Sequence, residues 1–377
     1  MSEGKQASMS ARERVLTLLR GGKPDRVPWM GDLDYWATAL VGRGQRPKGF
    51  QQSPEYIDWH MDLRVGFYLQ GYFPFRTIIE NCEVREWNEG DDRLRQVTTP
   101  KGALRERWRW LPEHFSEAPV EHLVKSVADL PAYQFMQANS RYEPDYALAE
   151  QRAEILRRTG AGVMLTYLPR SPLMQMVAVD AGIMAVVEML TDDEALFSET
   201  FAAAKESHDR AARIAVDSPA EILMIPENLS SEVVGPKLFE RFLRPYQTEW
   251  AVSIKEAGKI SCIHLDGTLK GLLREECTVG LDFIEAMTPT PSGDLAVEDW
   301  AGYVGETDTI FWGGIPGIMF TPLVSDEEFD EHLIRALRVM RRSPRYVLGV
   351  ADQVPPSGLE SRVRRVAELV EEFGEYD

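Results

Sequence analysis

The sequence predicts an α/β fold, specifically a (β/α)8 TIM barrel, and three observations carry the prediction. Short apolar runs alternate with segments long enough for crossover helices. Polar residues that can do chemistry cluster just after those runs, as they do at the mouth of a barrel. No GxGxxG turn follows the first run, which disfavours an open dinucleotide-binding sheet, the runner-up architecture.

The elements read in order as follows. Met1 to Ser10 is polar and expected to be mobile, so residues 1–10 are set apart as flexible. Val15, Leu16, Leu18 and Leu19 lie at helical spacing and predict an N-terminal helical extension ended by Gly21-Gly22. Arg26 to Leu33 reads as a strand running into a loop that bears Asp32, Asp34, Tyr35 and Trp36, and Val65 to Tyr68 reads as a second strand. Turns at Gly90-Asp91-Asp92 and Pro100-Lys101-Gly102 predict inserted β-hairpins over residues 76–111. Six βα-like units follow, with strands at Gly162 to Tyr167, Glu221 to Ile225, Lys259 to His264, Leu281 to Ile284, Thr309 to Trp312 and Arg345 to Leu348. Crossover helices are expected over Asp193 to Val216, Pro236 to Glu256, Ser325 to Met340 and Leu359 to Phe373. With the two early strands the total is the eight of a closed barrel. The 377 residues are read as one domain, 1–377.

Composition narrows the function. A formal charge of −18 disfavours a nucleic-acid surface, because phosphate binding needs clustered Lys and Arg. No apolar run is long enough to span a bilayer. Cys82, Cys262 and Cys277 have no CxxC spacing, and no charged-then-apolar signal segment is seen, so a reducing cytoplasm is the expected location.

The most informative stretch runs from Lys259 to Gly267. On a strand, His264 and Asp266 point to the same side, where they could be two metal ligands or a base with its orienting acid. The competing reading makes His264 a strand-end residue bonded to a carbonyl and Asp266 a helix cap. Other strand exits supply Asp32 and Asp34, Tyr167 and Arg170, Glu227 and Asn228, Glu285 with Thr288 and Asp294, and Asp352 with Gln353. A barrel would gather these at one mouth as a small-molecule site, although any single one could equally be a cap or a solvated loop residue.

Four segments carry a resemblance. They are Arg12 to Leu16 continuing through Gly22-Lys23-Pro24-Asp25-Arg26-Val27-Pro28, Glu227 to Ser231 with Phe239 to Tyr246, His264-Leu265-Asp266-Gly267, and Gly349 to Pro356. Together they resemble the uroporphyrinogen decarboxylase superfamily and, within it, the corrinoid:thiol methyltransferases of the methylcobalamin:coenzyme M type. The resemblance implies a (β/α)8 barrel and methyl transfer between a corrinoid or other methyl donor and a thiol or similar acceptor. In the zinc-dependent branch the metal is held by His-x-Cys-Gly and a later Gly-Cys; here Asp266 and Asp352 stand at both thiolate positions. The implied ligand set is therefore His264, Asp266 and Asp352, with zinc the first expectation and manganese or iron admitted by the oxygen donors. Because the chain has no Asp-x-His-x-x-Gly segment, a corrinoid would come from a partner protein.

His264, Asp266 and Glu227 are the expected catalytic groups, with Glu227 orienting the second substrate. Asp32, Asp34, Tyr35, Trp36, Tyr167, Arg170, Asn228 and Glu285 are the expected substrate contacts. Tyr35, Trp36, Trp29 and Tyr167 would form an aromatic wall, with ordinary core packing as the competing reading. Decarboxylases of the family carry paired N-terminal arginines where this chain has Gly31-Asp32-Leu33-Asp34-Tyr35-Trp36, so uroporphyrinogen-like decarboxylation is the alternative. A metal-free lyase using Asp266, His264 and Glu227, and a non-catalytic ligand-binding barrel, complete the alternatives. The family's decarboxylases imply a homodimer; no residue here identifies an interface.

Overall fold

The computed structural model describes residues 8–68 and 71–377. Residues 1–7 of the segment expected to be mobile lie outside that description. Ser10 is fixed: its hydroxyl accepts from the Glu13 amide at 3.2 Å while the Glu13 carboxylate accepts from the Ser10 amide at 2.8 Å. This reciprocal cap starts the helix Ala11–Leu19.

Strands β1 (Trp29–Met30) and β2 (Phe67–Tyr68) precede an antiparallel excursion. It comprises β3 (Phe75–Ile79), β4 (Glu83–Glu89), β5 (Asp92–Thr99), β6 (Gly102–Leu111), β7 (Ser116–Glu121) and β8 (Ser140–Pro144). The remaining strands are β9 (Gly162–Val163), β10 (Leu165–Tyr167), β11 (Ile222–Leu229), β12 (Ile260–Leu265), β13 (Phe283–Met287), β14 (Ile310–Pro316) and β15 (Tyr346–Ala351). Seven of them form one curled parallel sheet in the order β1, β15, β14, β13, β12, β11, β10. Between the ends of that sheet lie two short parallel pairings, β2 with β9 and Met30 with Gly66. The β2–β9 pairing depends on Gly162, where a Cβ would stand 1.9 Å from the Phe67 carbonyl oxygen.

Each expected apolar run is a strand, and the differences are local. The run at Gly162 to Tyr167 is interrupted at Met164, whose amide donates to the Glu221 carboxylate at 3.2 Å instead of continuing the ladder. The run after Glu221 extends to Leu229 with irregular pairing beyond Ile225. Asp34, Tyr35 and Trp36 belong to a helix, Asp34–Gly42, and not to a loop, because Asp32 accepts the Asp34 amide at 2.8 Å and caps its start. The antiparallel excursion reaches past residue 111 to Glu121 and recruits Ser140–Pro144. Its third turn contains no glycine; Phe115 adopts φ 51° there, so residue types did not mark it.

Two cores result from the curl. Met30, Leu165, Ile222, Met224, Cys262, Phe283, Ile310, Trp312 and Val347 point inward and pack against Val15, Leu16, Leu18 and Leu19 of the first helix. That helix stoppers the N-terminal end of the sheet, and Arg12 ties it down through Glu221 and the Gly162 carbonyl. The outward residues of the same strands, such as Leu223, Ile225, Ile263 and Ile284, pack in the larger core with helices Glu194–Asp217, Arg244–Glu256, Asp326–Met340 and Glu360–Phe373. No helix among the described residues is long and apolar enough to cross a membrane.

Arg362 locks the segment after β14 to the last helix. Its side chain, 5% exposed, donates to the carbonyls of Met319 at 2.7 Å, Thr321 at 2.5 Å and Val324, and pairs with Asp326. Replacing Arg362 with Ala leaves these carbonyls without donors, so we expect R362A to lose about 3 kcal/mol of unfolding free energy in a denaturant titration, with R362K losing less.

Candidate functional site

β12 alternates its side chains across the sheet, so Cys262 and His264 face the interior, with Cys262 in the inner core and His264 two residues nearer the strand's exit. On the next strand, β13, Glu285 is the direct register partner of His264. Their side chains therefore project together, and His264 Nδ1 stands 2.6 Å from a Glu285 oxygen. Tyr68 donates to the other Glu285 oxygen at 2.9 Å. With Nδ1 occupied, His264 presents Nε2 outward, where Asp352 approaches to 3.8 Å from the end of β15. Asp352 adopts φ 66° and its side chain is 58% exposed, so it forms part of the rim.

More carboxylates surround this pair. Asp266 follows β12, with its amide bonded to the Leu229 carbonyl at 3.0 Å, and its charge acts on both His264 and Asp352. Asp32 is buried, caps the Asp34 helix and accepts from Gln353 Nε2 at 2.9 Å, which joins the exits of β1 and β15. Among the described residues, none of Asp32, Asp34, Asp266, Glu285 and Asp352 is ion-paired to a lysine or arginine.

The titration shifts follow from this crowding. Desolvation, then the neighbouring charges of Asp34 and Asp352, push the Asp32 carboxyl well above its usual range. Desolvation also raises Asp34. Asp352 is raised by the surrounding wall and by Asp266 and Glu285, against the pull of His264. Burial alone would discharge His264, but Glu285, by charge and hydrogen bond, with Asp266 and Asp352, raises it to about 9.

The structure thus brings His264, Glu285, Asp352 and Asp266 to one place with Asp32 beside Asp352, and sets Asp34 behind Asp32 on Gln51. Glu227, expected to touch substrate, is completely buried: it accepts from the Ser171 amide at 3.1 Å and the Ser171 hydroxyl at 3.0 Å. Burial, partly offset by Ser171 and Arg170, raises it to about 7. It can orient the Ser171 loop but not contact a ligand in the mouth. Trp36 belongs to the core, with its ring 5.0 Å from that of Trp59, and Trp29 is likewise buried, so the aromatic wall is largely packing. Tyr35 donates to the His114 carbonyl at 2.5 Å and anchors the excursion. Asn228 is an exposed residue at φ 53° in the irregularly paired end of β11. Glu285, expected as a substrate contact, is 1% exposed and instead positions His264. Thr288 and Asp294 brace the loop after β12 through the amides of Gly267 and Leu269. Tyr68, absent from the expected site, anchors it from β2, a strand not paired with β13, so only the three-dimensional closure of the sheet brings it to Glu285.

The mouth offers one imidazole nitrogen and several carboxylates, which are the donor types a divalent cation takes, and the positive charge among them is that of His264 itself. His264 and Asp352 are the facing pair, but Asp266 makes no ion pair with the imidazole, and among the described residues no three His, Cys, Asp or Glu side chains stand close enough together to hold a metal ion.

A family model described as uroporphyrinogen decarboxylase (URO-D) matches residues 151–373, a span that includes His264, Glu285 and Asp352. The chain belongs to the uroporphyrinogen decarboxylase family. No curated protein matches it. Among solved structures, a methyltransferase from Methanosarcina mazei superposes with a TM-score of 0.61 at 13% identity, over 97% of this chain and 99% of that one. At that identity the likeness is one of fold. The family assignment agrees with the resemblance read from the sequence segments, and the curled parallel sheet, seven strands in its main part, agrees with the expected α/β fold class.

The His264–Glu285 pair gives a pH signature. Folding raises the imidazole from its ordinary 6.5 to about 9, so the folded state binds that proton more tightly than the unfolded one. The associated stabilisation, with a ceiling of about 3 kcal/mol, is complete below pH 6.5 and lost as pH rises through about 9. In an NMR titration of metal-free protein, the imidazole resonance that disappears in H264Q is expected to titrate near 9, and Glu285→Gln is expected to lower that midpoint.

Proposed function

We propose that this chain is a methyltransferase of the uroporphyrinogen decarboxylase family that moves a methyl group between a corrinoid or other methyl donor and a thiol or similar acceptor, with a divalent cation assisting at the mouth. The short pairings of β2 support reading the curled sheet as a closed (β/α)8 barrel whose strand exits share that mouth. Family membership by itself leaves the reaction open. The observation that carries the reading is electrostatic: Glu285, Asp266 and Asp352 act on one imidazole, and among the described residues none of the three is paired with a lysine or arginine. A polycarboxylate would meet repulsion of about 3 kcal/mol for each like-charge pair at about 6 Å in a partly screened cleft. A cation would be attracted.

His264 and Asp352, with Asp266 beside them, would hold the ion, zinc first and manganese or iron as alternatives. Bound there, it would supply the charge that lowers an acceptor thiol's pKa from about 8.5. The remaining work belongs to the chain. Glu285 fixes the imidazole so that Nε2 faces the mouth, a partnership that metal-binding histidines usually keep. Tyr68 orients Glu285, and the Asp32–Gln353 bond keeps the Asp352 loop beside β1. The exposed side of Asp352 leaves a route for the acceptor's proton to reach water. A corrinoid would arrive on a partner protein and dock at the same rim.

One observation favours a second reading. An imidazole raised to about 9 is a proton donor at neutral pH, which suits a lyase or decarboxylase that protonates a carbanion from Nε2. Untagged full-length protein separates the two. The methyl-transfer reading expects about one divalent ion per chain, lost in H264A and D352A, and methylation of 2-mercaptoethanol or coenzyme M by methylcobalamin that falls at least 100-fold in both variants. It is overturned if no metal is found after aerobic and anaerobic preparation and neither thiol is methylated, with release of CO2 from a carboxylated substrate favouring the second reading.

A further inference from the structure

A cavity of about 590 Å3 lies beside the mouth, between the antiparallel excursion and the loop after β10. Its size is within the roughly 300–1,000 Å3 of small-molecule sites. Phe75 of β3, Tyr142 of β8, Gln137, Arg170 and His208 line it, with Phe73 at its inner end. None of His264, Glu285, Asp352, Asp32 and Asp34 does. Tyr167 divides the two spaces: its ring meets Phe73 at 5.4 Å, while the charges of Asp32 and Glu285 act on it from the mouth.

Arg170 is the unusual member. Among the described residues its guanidinium has neither an ion pair nor a hydrogen bond, and its Nε is buried without a partner. The opposite charges that act on it, Glu227 and Asp180, make no ion pair with it, and Glu227 keeps Oε1 without a hydrogen-bond partner. Glu227 accepts from Ser171, and Asp180 accepts from Tyr133 at 2.7 Å and Gln175 at 3.3 Å. A partly buried guanidinium with no ion pair carries a desolvation cost that an anionic ligand would relieve.

Two acceptors face the same space. Gln137 is 6% exposed and its Oε1 has no partner. His208 is buried, with Nδ1 2.9 Å from the Arg170 carbonyl; since only N–H can donate to a carbonyl, a neutral ring leaves Nε2 as a bare acceptor. Burial holds this imidazole neutral by lowering it to about 4. The walls are aromatic, with Phe73 and Phe75 at 5.6 Å and Phe75 and Tyr142 at 5.6 Å.

We propose that this cavity is a binding site for a flat organic monoanion, an aromatic carboxylate bearing a hydroxyl or amino group, with the anion on Arg170 and the donor on Gln137 or His208. The aromatic faces take the ring; Arg95, the other cation of the lining, is paired with Glu106, and Glu86 and Asp180 also line the space, so no more than one anionic group, on Arg170, is accommodated. This goes beyond the methyl-transfer reading and stands without it, because its test is binding and not turnover.

The test titrates 6-hydroxy-2-naphthoate and 2-naphthoate into the full-length protein by calorimetry, with circular dichroism to confirm folding of each variant. Wild type is expected to bind both with the hydroxylated probe tighter, R170M to weaken both at least ~10-fold, and Q137L to reduce the preference for the hydroxyl. H264A is expected to bind both as wild type does, which places the ligand away from the mouth. The proposal is overturned if neither probe binds at millimolar concentration, if folded R170M and Q137L bind like wild type, or if H264A abolishes binding.

Discussion

The hydrogen bond between His264 and Glu285 is the constraint on which the rest of the site depends. It is set by strand register: β12 and β13 pair so that these two residues are opposite one another, and a slip of one position would turn one of the side chains to the other face of the sheet. Once Glu285 holds Nδ1, the other ring nitrogen can only face outward, and Asp352 meets it from the far end of the sheet. The inner core below, where Phe283 stacks on Trp312 at 5.0 Å and Tyr68 lies 4.9 Å from Trp312, gives Glu285 a rigid floor.

An acidic mouth is a destabilising feature that the fold maintains by local bonding. Asp32 spends its two oxygens on a helix start and on Gln353, and Asp352 is held in a left-handed conformation that costs a non-glycine residue about 1–2 kcal/mol. The strain and the like charge are both gathered at strand exits, over the well-packed interior of the curled sheet. The cavity around Arg170 has a mixed lining, with Arg95 and Arg170 beside Glu86 and Asp180, and its Phe73 meets the ring of Tyr167 at 5.4 Å.

Most of the parallel sheet was legible in the sequence because each run of apolar β-formers is bounded by turn residues and followed by a helical period. His264 and Asp352 could be placed at strand ends for the same reason. Register is not legible in the sequence, so residue type and position mark Glu285 as a substrate contact and do not mark Tyr68 at all. Glu227 lies in the irregular part of β11, where alternation no longer says which way a side chain points, and it turned out to be enclosed. Trp36 carries the same residue type in a ligand wall or in a core, and only its contact with Trp59 decides between them. The third turn of the excursion lacks glycine, which hid β7.

The most direct measurement is anomalous scattering from crystals soaked in turn with zinc and manganese. The account predicts a single strong peak bonded to His264 Nε2 and an Asp352 oxygen, with Glu285 still on Nδ1. Soaks that leave this position empty while His264 Nε2 and Asp352 point away from each other would contradict it.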